Sequence, residues 1–127
     1  GHVDYGVRRE ALRSLLDDKL RVTATTLRLR RDHPEWFTGY RPLHATGPAA
    51  DHVVAFARSD SLVAVAARLS GRLRRDGGWR DTRLALPDGT WVDALGGREH
   101  AGTELPVTDL LRGGTVALLV PGVSVTP

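Results

Sequence analysis

The sequence contains no cysteine, methionine, asparagine, glutamine or isoleucine among its 127 residues, and it has few aromatic residues. Without cysteine it has no disulfide framework, no thiolate nucleophile and no cysteine-based zinc or iron–sulfur site. No apolar run approaches the roughly twenty residues of a membrane helix, and residues 1–10 are charged, unlike the core of a signal peptide. We therefore expect a cytoplasmic protein with no membrane partner.

The residues that are present are typical of an ordinary globular domain. Apolar residues make up 41% of the chain and charged residues 26%, close to the averages for soluble proteins. The 18 Lys and Arg residues exceed the 15 Asp and Glu residues by only three, and both signs are scattered along the chain, so we expect no nucleic-acid partner. A nucleic-acid binder is a lesser alternative, and it would use Arg28, Arg30, Arg31, Arg72, Arg74 and Arg75.

Hydrophobic periodicity predicts two N-terminal helices, over residues 5–17 and 19–33, with Asp4 as the first N-cap and Pro34 as the stop signal. Each helix carries one apolar stripe, formed by Leu12, Leu15 and Leu16 in the first and by Leu20, Ala24 and Leu27 in the second. A small domain can easily cover only one stripe, so we expect the isolated chain to self-associate through these helices.

After Pro34 the pattern changes to short apolar runs separated by turn residues, which is typical of antiparallel strands. Strands are predicted over 52–58 and 62–67, and a second hairpin over 82–86 and 90–95 with its turn at 87–89. Segments 43–46, 105–107 and 116–120 add further strands, whereas 71–78 is predicted to be an exposed loop. The fold class is therefore α+β, with N-terminal helices followed by a mainly antiparallel β-sandwich.

The sequence has few groups arranged for catalysis. It lacks a nucleophile elbow, a phosphate-binding Gly-Lys-Ser/Thr loop, a dinucleotide fingerprint and the zinc-protease helix motif. Its histidines share no spacing of four residues, and the acidic pairs Asp76/Asp81 and Asp88/Asp93 fall in turns, where Asp is common. The histidines are His2, His33, His44, His52 and His100. We therefore predict no catalytic residue, no cofactor and no metal ligand.

Trp79 and Trp91 are the aromatic residues with a possible role in carbohydrate contact, since a planar ring can stack on a sugar. They flank the predicted second hairpin, and an autonomous carbohydrate-binding module with both rings exposed is the alternative function. A tryptophan in a strand is more often half-buried packing than a ligand platform.

Several segments of the chain form a recognisable series. Residues 27–58 read LRLRRDHPEWFTGYRPLHATGPAADHVVAFAR, Val-Asp-Tyr stands at 3–5, Lys-Leu-x-Val-Thr at 19–23 and Gly-Trp-x-Asp-Thr at 78–82, the last followed by Leu-x-Leu-Pro. In this order they resemble the maltooligosyl trehalose synthases, a family of the α-amylase superfamily, and residues 27–58 resemble the junction between the last barrel helix and the C-terminal β-sandwich of such enzymes. The resemblance extends over nearly the whole chain, from Val3 to about Val120.

The resemblance implies a cytoplasmic mutase that converts the reducing-end α-1,4 bond of a maltooligosaccharide into an α,α-1,1 bond. It also implies that residues 3–35 correspond to the last barrel helices and 36–127 to the β-sandwich, while residues 1–2 are expected to be a cloning remnant because the chain has no Met. A catalytic barrel needs roughly 250 residues, so the chain carries no catalytic residue and is expected to be inactive alone. Its partners would be the catalytic barrel of the same polypeptide and the maltooligosaccharide substrate. Asp4 and Lys19 are the candidates for contact with the active-site side of that enzyme.

Overall fold

The computed structural model describes residues 5–68, 70–112 and 114–122. The chain divides into two compact units, Gly1–Pro34 and Glu35–Pro127. In the first unit one long helix is described, whereas the second contains every described strand. Asp4, the predicted N-cap, lies outside the described residues.

The described part of the first unit contains a single helix, α1 (Tyr5–Asp32), of 28 residues. The prediction of two separate helices is wrong, because the Asp-Asp-Lys segment at 17–19 contains neither Gly nor Pro, and the β-branched residues after it weaken a helix by only tenths of a kcal/mol each. The predicted end is confirmed. The His33 N–H donates to the Leu29 carbonyl at 2.7 Å just before Pro34, and Arg30 and Arg31 place positive charge in the last turn, where the helix dipole favours it.

One side of α1 exposes a row of large apolar side chains. Leu12 is 56% exposed, Leu16 49%, Leu20 68% and Leu27 63%. At 3.6 residues per turn these four positions fall within an arc of about 80°. Leu12 and Leu16 of the first predicted stripe and Leu20 and Leu27 of the second therefore form one exposed apolar face, which we call the leucine row (Leu12, Leu16, Leu20 and Leu27).

The second unit is built on two antiparallel sheets. The six-stranded sheet has the order β1-β3-β4-β9-β6-β7, and the three-stranded sheet has the order β2-β5-β8. The strands are β1 (Arg41–Leu43), β2 (Ala45–Thr46), β3 (Val53–Arg58), β4 (Leu62–Ala67), β5 (Arg83–Ala85), β6 (Thr90–Asp93), β7 (Glu99–Ala101), β8 (Glu104–Pro106) and β9 (Val116–Pro121). Short 3₁₀ helices cover Pro34–Phe37 and Ala50–His52.

The hairpin of β3 and β4 is confirmed, with Arg58 opposite Leu62. Ser59 and Asp60 both have positive φ, 49° and 56°, the backbone twist that tight hairpins favour. The predicted final strand is also confirmed as β9, which pairs with β4 and β6 in the middle of the sheet.

The second predicted hairpin is wrong, because its two strands belong to different sheets. β5 pairs with β2 and β8, whereas β6 pairs with β7 and β9. The predicted strand over 43–46 is likewise divided between β1 and β2, one in each sheet. The segment predicted as a strand at 105–107 ends β8 and begins helix α3 (Val107–Leu111), and β7 was not predicted.

The predicted loop at 71–78 contains a short helix instead, α2 (Ser70–Arg75). Leu73 is 5% exposed and anchors it, while the arginines on either side face solvent. At the helix end the Gly78 N–H donates to the Leu73 carbonyl and the Gly77 N–H donates to the Arg74 carbonyl. This pair of hydrogen bonds is a Schellman cap, and it requires the left-handed φ of +100° that Gly77 adopts.

Both sheets and α3 contribute to one hydrophobic core. Alternate residues of the central strands face it, among them Val63, Val65 and Leu119, all fully buried. Leu84 of β5 and Leu110 of α3 belong to the same cluster. The α+β class is therefore confirmed as a helix followed by mainly antiparallel sheets. No helix in the described part of the chain combines the length and the apolar character needed to cross a bilayer.

Candidate functional site

The two tryptophans predicted to contact sugar do not form an exposed platform. Trp91 is 2% exposed in the core, and its Nε1–H donates to the Pro87 carbonyl at 3.0 Å. Trp79 is half-buried and packs against the same core. Because the ring of Trp91 is buried, the two side chains do not present the pair of exposed rings that the carbohydrate-binding alternative needs, and carbohydrate contact at Trp79 stays a prediction.

The other residues considered from the sequence are dispersed. Lys19 is exposed on α1, whereas Asp4 and His2 lie outside the described residues. Within the described ranges, no three His, Asp or Glu side chains converge as a metal site would require. Asp93 uses Oδ1 to accept from the Leu95 and Leu118 amides at 3.0 and 3.2 Å, so it secures a turn beside β9.

A cleft in the second unit brings polar side chains together instead. Its volume is about 780 Å³, within the range of small-molecule sites. Segment 43–53, the end of β4 and helix α2 provide its walls. The titratable residues that line it are His44, Asp51, His52, Arg68, Arg72 and Asp76.

One wall of the cleft is the turn around Gly47, and it is held by buried Thr82. The Thr82 side chain is fully buried, and its Oγ1 accepts from the Ala49 N–H at 2.9 Å. Gly47 has a φ of +114°, and a Cβ there would lie 2.8 Å from the Thr82 Cα. The close approach and the positive φ both require glycine, so this wall has a fixed conformation.

His52 and Arg68 connect that wall to the end of β4 by two hydrogen bonds. The Arg68 N–H donates to the His52 carbonyl at 2.9 Å, and His52 Nδ1 lies 3.0 Å from the Arg68 carbonyl. Since a carbonyl oxygen only accepts, Nδ1 must carry the proton of this bond. In the neutral imidazole Nε2 then has the free lone pair and can accept.

Helix α2 forms the opposite wall. The Asp76 N–H donates to the Arg72 carbonyl at 3.0 Å, which continues the helical pattern one residue beyond α2. Residues four apart lie on the same face of a helix, so Arg72 and Asp76 both line the cleft, whereas Arg74 and Arg75 do not. Buried Leu73 holds this helix in place.

The charged groups of the cleft are not paired with one another. Among the described residues, the structure shows no ion pair between the carboxylates of Asp51 or Asp76 and the guanidinium groups of Arg68 or Arg72. Sequence reasoning missed this site because its residues extend over more than thirty positions and form no local motif. Only the folded chain brings them together.

Comparisons with known proteins agree with the sequence resemblance. Two solved structures of maltooligosyltrehalose synthase from Arthrobacter ramosus, one of them a point mutant, superpose with TM-scores of 0.77 and 0.76 at 35% identity. Both cover 96% of this chain. Proteins from two strains of Mycobacterium tuberculosis, assigned as maltooligosyl trehalose synthase, are 51% identical over 120 residues, or 93% of the chain. No family model matches.

The resemblance to maltooligosyl trehalose synthase is thereby confirmed. The chain corresponds to 15% of the length of the Mycobacterium tuberculosis proteins and 17% of the Arthrobacter ramosus chains. It is therefore similar to a minor part of maltooligosyl trehalose synthase over nearly all of its own length. The cleft belongs to that part.

Proposed function

We propose that this chain is the C-terminal part of a trehalose-forming maltooligosaccharide mutase, acting in the cytoplasm. The reaction converts the reducing-end α-1,4 bond of a maltooligosaccharide into an α,α-1,1 bond by intramolecular transglucosylation. The proposal is supported by the 51% identity to proteins assigned as maltooligosyl trehalose synthase. The two catalytic carboxylates of such chemistry would come from a (β/α)₈ barrel elsewhere in the polypeptide.

Within that enzyme we assign this part a structural role. The observation that carries it is the leucine row on α1, which exposes four large apolar side chains. Burying an apolar face of this size against another protein surface lowers the free energy, so such faces mark interaction sites. Because the matched segment is only 15% of the length of one similar protein and 17% of another, the occupant we propose is the catalytic barrel of the same polypeptide.

The test compares the whole polypeptide with this chain alone. Each is incubated with maltohexaose, and the non-reducing product that ends in trehalose is measured by chromatography. We expect product from the whole polypeptide and none from the chain, since no catalytic carboxylate is assigned to it. Trehalose-ended product from the pure chain would overturn the structural role.

A second experiment tests the leucine row inside the whole polypeptide. Leu20→Glu places a charge in the proposed contact and is expected to lower the thermal midpoint, whereas Arg28→Glu, on another side of α1, serves as the matched control. Equal midpoints for the two variants would contradict the docking role of the row, even if the enzyme forms product.

A further inference from the structure

The cleft between the Gly47 turn and α2 has the properties of a binding site for an uncharged ligand. It holds two guanidinium groups, from Arg68 and Arg72, and two carboxylates, from Asp51 and Asp76. The formal charges of these four groups cancel. An anion or a cation would find as much repulsion as attraction there, so net charge favours neither.

The hydrogen-bonding groups of the cleft match a ligand that both donates and accepts. Guanidinium groups only donate and carboxylates only accept, while His52 has Nδ1 engaged by the Arg68 carbonyl and leaves an acceptor at Nε2. A hydroxyl group uses both types of partner at once. Neighbouring hydroxyls on a sugar ring can donate to the two oxygens of one carboxylate and accept from the fork of one guanidinium.

The cleft walls are also largely formed before any ligand binds. The Gly47 turn is fixed by the buried Thr82 hydroxyl, and His52 is fixed to the end of β4 by two hydrogen bonds. Arg72 and Asp76 lie one helical turn apart on a helix that is anchored by Leu73 and capped at Gly77. A preorganised site loses less conformational entropy on binding.

We propose that this cleft binds a short α-1,4-glucan segment through hydrogen bonds from Arg68 and Arg72 and to Asp51 and Asp76. The neutral polyhydroxylated chemistry follows from the cleft, whereas the identity of the sugar rests on the proposed function. Neither Trp79 nor Trp91 lines the cleft, so recognition depends on polar contacts without ring stacking. We expect weak binding, with a Kd on the order of 1 mM, because exposed polar contacts each contribute little net free energy.

The experiment titrates the isotopically labelled chain with maltotriose and follows the backbone amide signals by NMR. Saturable shifts are expected at residues 44, 51, 52, 68, 72 and 76, and not at the residues of α3. Removing one charge-assisted hydrogen bond should raise the Kd for maltotriose by about tenfold in Arg72→Ala and in Asp76→Ala. All mutated side chains are exposed, so the variants should retain the fold, which the same spectra show.

Arg74→Ala is the matched control, because Arg74 is equally exposed on the same helix but does not line the cleft. It should leave the Kd for maltotriose unchanged. Equal weakening by Arg72→Ala and Arg74→Ala would overturn the assignment of the cleft. Absence of saturable shifts with maltotriose would do the same.

Titration with inorganic phosphate tests the charge argument. We expect no saturable shifts from phosphate at the cleft residues, and saturable phosphate binding that is lost in Arg72→Ala would overturn the proposal in favour of an anion site. The outcome is separable from the proposed function. If the whole polypeptide forms trehalose-ended product while maltotriose leaves the cleft signals unchanged, the mutase assignment stands and the glucan site is rejected. If maltotriose binds the cleft while the whole polypeptide forms no such product, the binding site stands and the mutase assignment is rejected.

Discussion

At the scale of single residues, Thr82 connects three parts of the second unit. Its Oγ1 accepts from the Ala49 N–H at 2.9 Å, its own N–H donates to the Trp79 carbonyl and its carbonyl accepts from the Val107 N–H. The side chain is fully buried, and Ala49 is 2% exposed. The Thr82 hydroxyl therefore supplies the hydrogen-bond acceptor that the buried Ala49 N–H needs.

Thr82→Val keeps the shape of the side chain and removes the acceptor. We expect the free energy of unfolding to fall by about 1–3 kcal/mol, because the Ala49 N–H would be buried without a partner. Urea denaturation measures the change. Thr108→Val, at an exposed position on α3, should stay within about 0.5 kcal/mol of the parent chain. Equal losses in the two variants would show that the Ala49–Thr82 bond does not contribute.

The sequence predicted the role of a side chain correctly where that role depends only on adjacent residues. Pro34 ends α1 because it restricts the residue before it and lacks an N–H, and the Asp at position 93 serves a turn as expected. The burial of Trp91 depends on which strands β6 joins. Strand pairing of this kind is not encoded in the adjacent residues, so the sequence around Trp91 does not distinguish an exposed ring from a buried one.

At the scale of elements, α2 depends on one apolar side chain. Leu73 is 5% exposed, whereas Arg72, Arg74 and Arg75 around it are exposed. A helix of six residues is not stable by its own propensity, so its position depends on this contact and on the cap at Gly77. The sequence pattern of arginines and glycines resembles a loop because the anchoring contact is tertiary.

Leu73→Ala should release α2 from the rest of the unit. We expect amide hydrogen exchange at residues 72–78 to accelerate, and the free energy of unfolding to fall by about 2–5 kcal/mol if the whole unit responds. Mass spectrometry of exchanged peptides measures the first effect and urea denaturation the second. Arg74→Ala, beside it in the sequence, should change neither. Unchanged exchange in Leu73→Ala would contradict the anchoring role.

Strand pairing shows the same division between local and distant information. The β3–β4 hairpin was predictable because both strands and the turn lie within 15 consecutive residues with clear alternation. β5 and β6 are just as close in sequence, yet each finds its partners elsewhere. Short strands of three or four residues carry too little pattern to select among several possible neighbours.

At the scale of the whole molecule, the leucine row controls how the isolated chain behaves. Four leucines that are 49–68% exposed lie within one narrow arc of α1. In the isolated chain, burial of this face against a second copy lowers the free energy, because it removes apolar surface from water. We therefore keep the prediction that the isolated chain self-associates through α1.

Sedimentation velocity at increasing concentration tests this prediction. The parent chain should show a rising sedimentation coefficient, and Leu16→Glu combined with Leu20→Glu should abolish the rise. Arg28→Glu changes the charge on another side of α1 and should self-associate like the parent chain. A parent chain that remains strictly monomeric at high concentration would contradict self-association through the leucine row.

The amino-acid sequence by itself determined the α+β class, the end of α1, the β3–β4 hairpin and the resemblance to maltooligosyl trehalose synthase. The helix end and the hairpin each depend on spacing and residue type within one short segment, whereas the class and the resemblance depend on several such segments along the chain. Only the tertiary structure decided that Trp91 is buried, that β5 and β6 separate into different sheets and that six titratable side chains surround one cleft. These outcomes arise from contacts between distant segments, where packing and hydrogen bonding select one arrangement from several that local preferences allow.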